Sequence, residues 1–350
     1  MKKTYLILTA GVLVALTSCT NDDTANDEPT PSVEQHAISF RSELGTRATE
    51  TTNANLSSIR VSSFLGDQTL FSEVDFNRGE DSYFTSTPEY YWPGDNSTLS
   101  FVAYSPAAPG GTVSVKADSK TLTDFSPAQN IADQVDFITS SATGNKEENE
   151  SAGVELVFDH RLSQININAK ADNPAYVYKV TGIRIGQPVS KGSYDFDTNA
   201  WTLGSDKAIY EETYSTPVTL SATAQNIMGE EGNAILIPQT LTAWNPETDA
   251  SNSSKGAYLS IKLQINTVAG AQVYPFPSEP NCVWAAIPID TDWQAGKKYV
   301  YNLDLSNGAG FVDPNDPIPG TPVLGGPIKF TVDVKDWAPQ TQDLPMKTSN

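Results

Sequence analysis

Few residues in this chain are of types that carry chemistry, and they are scattered. The cysteines are Cys19 and Cys282, and the histidines are His36 and His160. Cys19 closes Leu16-Thr17-Ser18-Cys19, two small residues and a thiol directly after an apolar run. That pattern predicts a lipobox, in which the leader is cut before the cysteine and the sulfur receives diacylglycerol. Arg47 lies in Leu44-Gly45-Thr46-Arg47-Ala48-Thr49, a small and polar stretch expected to form an exposed loop. Such loops are where proteolysis concentrates. The bond Arg47–Ala48 is therefore a candidate cut, the alternative being an ordinary solvated arginine.

The remaining candidates fall short of a catalytic or metal site. His160, in Phe158-Asp159-His160-Arg161-Leu162, has only His36 as a second imidazole, and His36 lies beside an apolar-poor stretch. A general base needs a partner and a pocket, so a hydrogen-bonded structural histidine is expected. Asp195, Asp197, Asn199 and Asp206 imitate the spacing of a calcium loop. Ala200 stands where that loop needs glycine, and Asp206 where it needs a bidentate glutamate. Flanking Tyr194, Phe196 and Trp201 instead predict a hairpin turning at Thr198-Asn199. Gly308-Ala309-Gly310 fails the dinucleotide fingerprint, because Asp313 takes the third glycine position. Asp313 and Asp316, among prolines, are expected in a loop. No Gly-x-Ser-x-Gly, P-loop or His-Glu-x-x-His occurs, and no acidic pair stands out from 42 acids. Tyr90-Tyr91-Trp92-Pro93 could stack sugar faces, but Phe101 and Tyr104 alternate like core residues, so packing is expected. Cys282 beside Val283-Trp284 is expected to be a buried small hydrophobe. The expectation is a protein that is not an enzyme and needs no metal or cofactor.

The elements that must position these residues are strands. Leu259, Ile261, Leu263 and Ile265 alternate with polar residues, as do Tyr299, Tyr301, Leu303 and Leu305, and Ile328, Phe330, Val332 and Val334. Such period-two runs are half-buried strands of antiparallel sheets. Helical periodicity is scarce, and Gln129–Phe137 is the best short-helix candidate. With 23 Gly and 23 Pro at turns, 350 residues suffice for two β-sandwich domains. The division expected is a signal peptide at 1–18, a flexible tether at 19–36, an N-terminal sandwich at 37–172 and a C-terminal sandwich at 173–350. The mostly apolar run of twelve residues from Tyr5 to Leu16 is too short for a membrane span, which needs roughly 20. Gly308–Gly326, rich in Gly and Pro, is expected to be a soft connector. The formal charge is -20 and the pI about 4.3, which disfavours nucleic-acid partners.

Three segments together resemble the fimbrillin (Mfa-like, type V pilin) family. They are Phe158-Asp159-His160-Arg161-Leu162-Ser163-Gln164-Ile165; Ile287-Pro288-Ile289 through Trp293-Gln294-Ala295-Gly296-Lys297-Lys298-Tyr299 to Tyr301; and Ile328-Lys329-Phe330 to Val334-Lys335-Asp336-Trp337. The lipobox, and Thr46-Arg47-Ala48 soon after Ile38-Ser39-Phe40, also match. The resemblance implies an all-β protein of two tandem transthyretin-like antiparallel sandwiches behind the leader and tether. It implies export as a surface-exposed lipoprotein of the outer membrane, held by acyl (palmitate) chains on Cys19. It further implies a cut by an arginine-specific protease at Arg47–Ala48, and assembly with other fimbrial subunits by strand exchange.

Stalk subunits both accept and donate a strand, and Ala338–Asn350 is a poor donor, so a tip or accessory subunit is favoured over a stalk subunit. Ile38 and Phe40 alternate as a strand whose apolar face fills the N-terminal sandwich of the uncut precursor. The alternative is a lipid-anchored surface protein that binds a host or glycan ligand and never polymerises.

Overall fold

The structure, a computed structural model, describes residues 36–43, 55–229, 232–251 and 256–337. Cys19, Arg47 and Ala48 lie outside the described residues. The first half contributes β1 (Phe40–Glu43), β2 (Ser58–Leu65), β3 (Gln68–Arg78), β4 (Phe84–Thr85) and β5 (Leu99–Ser105). It continues with β6 (Thr112–Val115), β7 (Lys120–Phe125), β8 (Ile138–Gly144), the single-turn helix α1 (Lys146–Asn149), β9 (Val154–Val157) and β10 (Asp159–His160). The second half supplies β11 (Ser163–Lys170), β12 (Tyr176–Val189), β13 (Gly192–Asp195), β14 (Ala200–Leu203), β15 (Lys207–Thr219), β16 (Gln225–Asn226), β17 (Ala234–Leu236) and β18 (Gln239–Thr240). β19 (Tyr258–Thr267), β20 (Gln272–Tyr274), β21 (Trp284–Pro288), β22 (Asp292–Trp293), β23 (Lys297–Asp304), β24 (Phe311–Val312) and β25 (Lys329–Asp336) complete it.

The chain is all-β, and its pairings are antiparallel apart from β1 on β9 and β11 on β23 among the named strands. An eight-stranded sheet runs β10-β8-β5-β2-β3-β4-β1-β9 and curls so that β9 returns beside β8. Its inward face buries Phe40, Ile59, Val61, Phe76, Phe101 and Leu156. Its opposite face presents Phe64, Val102 and Tyr104 to a smaller sheet, β14-β13-β7-β6. The second half packs the sheet β16-β11-β23-β25 against β15-β12-β19-β21-β24. Between them lie Ile165, Ile167, Ile183, Ile261, Tyr301 and Leu303, the inward residues of the alternating strands.

The sequence divides the halves at 172/173, but β11 pairs along its length with β23 and also with β16 and β17. The strand expected to close the first half thus belongs to a sheet of the second. The hairpin β13–β14 makes the opposite crossing, with Tyr194 and Asp195 opposite Leu122 and Thr121 of β7.

The helix expected over Gln129–Phe137 is one 3₁₀ turn, Ile131–Asp133. Gln134 breaks the path, since its amide donates to the Ala128 carbonyl (3.0 Å) and accepts from Ile235 N–H (2.6 Å). Gly308–Gly326 is a packed loop with Ala309, Val312, Asp313 and Val323 buried, and Ala309 N–H donates to the Leu324 carbonyl at 2.8 Å. Gly308 is required there, because a Cβ would lie 2.0 Å from the Gly326 oxygen. Val334 departs from the alternation expected of it: it lies on the apolar side of an edge strand yet is 55% exposed.

Candidate strand-exchange site

β1 is four residues long and lies inside a sheet, with β4 on one side and β9 on the other. Phe40 stands opposite Phe84 of β4 and Val154 of β9, and Arg41, Ser42 and Glu43 continue in parallel register with Glu155, Leu156 and Val157. The entry is fixed by backbone bonds: Ile38 N–H donates to the Tyr90 carbonyl (2.7 Å), and Val154 N–H to the Ser39 carbonyl (2.9 Å). Ile38 and Phe40, two apart, point the same way and are 1% and 0% exposed. Phe40 meets Phe76 and Phe101 edge-on, with centroids 4.9 and 5.1 Å away, and Trp92 closes on Phe101 at 5.9 Å. Edge-to-face packing of this kind adds to what burial alone contributes.

The α1 turn brings β9 to its place. The Asn145 side chain caps it by accepting from Glu148 N–H at 3.0 Å. Gly153, at φ +70°, then turns the chain against β1, where a Cβ would lie 2.9 Å from the Tyr83 ring and 3.3 Å from the Ser39 oxygen. On the outer face Arg41 approaches Glu155 at 3.7 Å, with side chains 35% and 54% exposed. A pair so exposed contributes about 0–1 kcal/mol, so the inward side chains hold the strand. Among the described strands β9 pairs only with β1. Withdrawing β1 would leave a slot lined by aromatic rings and two strands with unpaired N–H and C=O groups, the arrangement that takes up another chain's strand.

His160, the Asp195 turn, Trp92 and Cys282 each have partners within the fold. His160 Nδ1 lies 2.7 Å from Asp136 Oδ2, and its ring stacks on Trp337 with centroids 4.1 Å apart and planes 7° off parallel. The Asp195 cluster is the predicted hairpin. Asp195 Oδ1 accepts from Asp197 N–H, Thr198 N–H and the Thr198 hydroxyl, and the Thr198 backbone bond leads in holding its carboxyl below the usual range. Asp197 pairs with Lys120 at 2.8 Å. Trp92 is buried and Tyr90 packs on Phe71 at 4.6 Å, leaving only Tyr91 exposed. Cys282 is buried, its thiol pushed up by that burial and donating to the Pro317 carbonyl at 3.0 Å.

Sequence reasoning missed one cluster. Arg184 Nη1 lies 3.0 Å from buried Asp313, Nη2 lies 2.9 Å from Glu211, and the guanidinium sits 4.1 Å over the Trp284 ring. This ties the 308–326 loop onto β12. The signal available was Gly182-Ile183-Arg184-Ile185-Gly186, since a Cβ at Gly186 would lie 2.1 Å from the Tyr258 ring. Among the described residues no group of three His, Cys, Asp or Glu is placed to hold a metal, and no helix is long and apolar enough to cross a membrane.

Fold and site together define a β-sandwich protein whose candidate site is a short strand held between two others by backbone bonds and buried apolar side chains. The chain belongs to the fimbrillin-like family, whose profile matches residues 46–337. Among solved structures, a fimbrial protein from Bacteroides vulgatus superposes with a TM-score of 0.59 at 18% identity, over 87% of this chain and 100% of that one. A protein assigned to cell adhesion from Bacteroides uniformis gives 0.45 at 18% identity, over 88% and 100%. The fimbrial anchor protein Mfa2 from Porphyromonas gingivalis gives 0.36 at 11% identity, over 77% and 90%. No curated protein matches. At such identities the first of these structures shares the fold.

Proposed function

We propose that this protein is a structural and adhesive fimbrial subunit whose β1 strand is the removable occupant of an acceptor slot. The observation that carries the reading is the placement of β1, a four-residue strand inside a sheet, only four residues before Arg47. In this reading the precursor is exported as a lipoprotein and held at the outer membrane by acyl chains on Cys19. An arginine-specific protease cuts Arg47–Ala48, and 19–47 leaves with the lipid and β1. A strand from another fimbrial subunit then takes the slot. Ile38, at the entry to β1, and Phe40 within it are the large apolar side chains this segment buries, worth roughly 3–6 kcal/mol together. A donor that fills the slot further outcompetes β1 once the cut makes departure possible.

The division into two working lobes then falls near 161–162, before β11, rather than at 172/173. A tip or accessory role is favoured over a stalk role because Ala338–Asn350, with two prolines and little apolar content, reads as a poor donor strand. N-terminal sequencing of surface fibres tests the cut: the expected first residue is Ala48. A uniform start at Cys19 would contradict processing and favour the non-polymerising, lipid-anchored alternative.

A further inference from the structure

At the end of the second half away from β10, three charged residues stand directly abreast on adjacent strands. Lys170 of β11 is opposite Asp304 of β23, and Asp304 is opposite Lys329 of β25. Equal register on neighbouring strands puts all three side chains on one face, with the two lysines roughly 10 Å apart at their backbones. Lys170 Nζ pairs with Asp304 at 3.2 Å, and among the described residues Lys329 makes no ion pair. The row therefore carries one uncompensated positive charge in a chain of net -20. The next row, Asn168, Asn302 and Thr331, is neutral and rigidly bonded. Asn168 donates to Asn302 (3.0 Å), and Asn302 to Asp333 (3.0 Å).

Lys170, Asp304 and Lys329, with Asn302 and Thr331 of the next row, line a cleft of about 470 Å³ walled by the small side chains Ala222 and Ala224. Its volume lies in the range of small-ligand sites. β11 and β23 are eight residues long and start at the lobe junction, where Ser163 donates to Gln294, so the cleft lies roughly 25 Å away at their far ends.

We infer that this cleft binds the carboxylated sugar unit of an acidic glycan. The pattern of charge selects the class. A single carboxylate satisfies the Lys329 ammonium, assisted by Lys170. Asp304, ionised between the two lysines, accepts hydrogen bonds from sugar hydroxyls, and the Thr331 hydroxyl can donate or accept. A phosphate offers up to two negative charges against one free ammonium, so Asp304 repels it more than a single carboxylate, and it brings few donors to offset that repulsion. A neutral sugar leaves Lys329 unpaired. The inference goes beyond the assembly reading and does not depend on it, since the cleft shares no residue with the β1 slot.

The test is calorimetric titration of the purified full chain, as monomer, with galacturonic acid trimer, glucuronic acid and N-acetylneuraminic acid. Galactose trimer and inorganic phosphate serve as controls. The expected result is saturable binding of at least one acidic sugar, weakened by added salt and about tenfold weaker in Lys329→Ala, the size of one lost charge-assisted hydrogen bond. Lys329→Arg should retain binding, and Lys329 is exposed, so both variants should melt like the parent. Failure of all three acids to bind would overturn the inference, as would equal binding of either control. Unchanged affinity in Lys329→Ala would overturn it too. None of these results involves polymers, so failure here leaves the assembly reading standing.

Discussion

Among the described residues, the first and last strands are built on the same short motif and used in opposite ways. Ile38-Ser39-Phe40 leads into β1, and Ile328-Lys329-Phe330 leads into β25. β1 has four residues, partners on both sides, and Phe40 wholly buried among aromatic rings. β25 has eight residues, all paired with β23, but stands at a sheet edge with Phe330 and Val332 only half-buried. The first depends on side chains and has little ladder to lose. The second depends on its ladder and has little side-chain burial. On the reading proposed above, that difference separates a strand that can be exchanged from one that stays.

The contrast has consequences that can be ranked. Phe40→Ala should cost the uncut chain about 3–5 kcal/mol in urea unfolding, the range for truncating a fully buried aromatic. A loss below 1 kcal/mol would show that β1 is not held by its side chains. Trp337→Ala comes next, at about 3 kcal/mol, because the Trp337 ring is buried and stacks on His160. Phe330→Ala should cost less, about 1–2 kcal/mol, since half of its burial is already absent. Val334→Thr should stay within about 0.5 kcal/mol, as expected of an exposed strand position. Reversal of the order of Phe40 and Phe330 would break the comparison.

Much of this was legible from local pattern. Leu259 to Ile265 and Tyr299 to Leu305 alternate because each has a core on one side, and they appear as β19 and β23. Ile38 and Phe40 announced a buried strand in the same way. Pairing was not legible. Nothing near Tyr194 marks Leu122 as its neighbour, because the hairpin β13–β14 meets β7 by pairing between segments far apart in the chain. Likewise Arg184 reads as a solvent-facing charge in an alternating strand. Only the loop bearing Asp313, which covers that face, turns it into a buried ion pair. The Lys170–Asp304–Lys329 row is also a product of register between distant strands, invisible to spacing along the chain.

The central claim is that β1 must leave for assembly. Arg41 and Glu155 are register partners on the outer face, so Arg41→Cys with Glu155→Cys places two thiols across parallel neighbours within disulfide range. The measurement is fibre formation by this double variant after arginine-specific cutting, followed by electron microscopy and unboiled gels with and without reductant. The account predicts that the oxidised, cut protein stays monomeric and enters fibres only after reduction, with residues 38–43 missing from the fibre. Polymerisation with the cross-link intact and Phe40 still present in the fibre would contradict it.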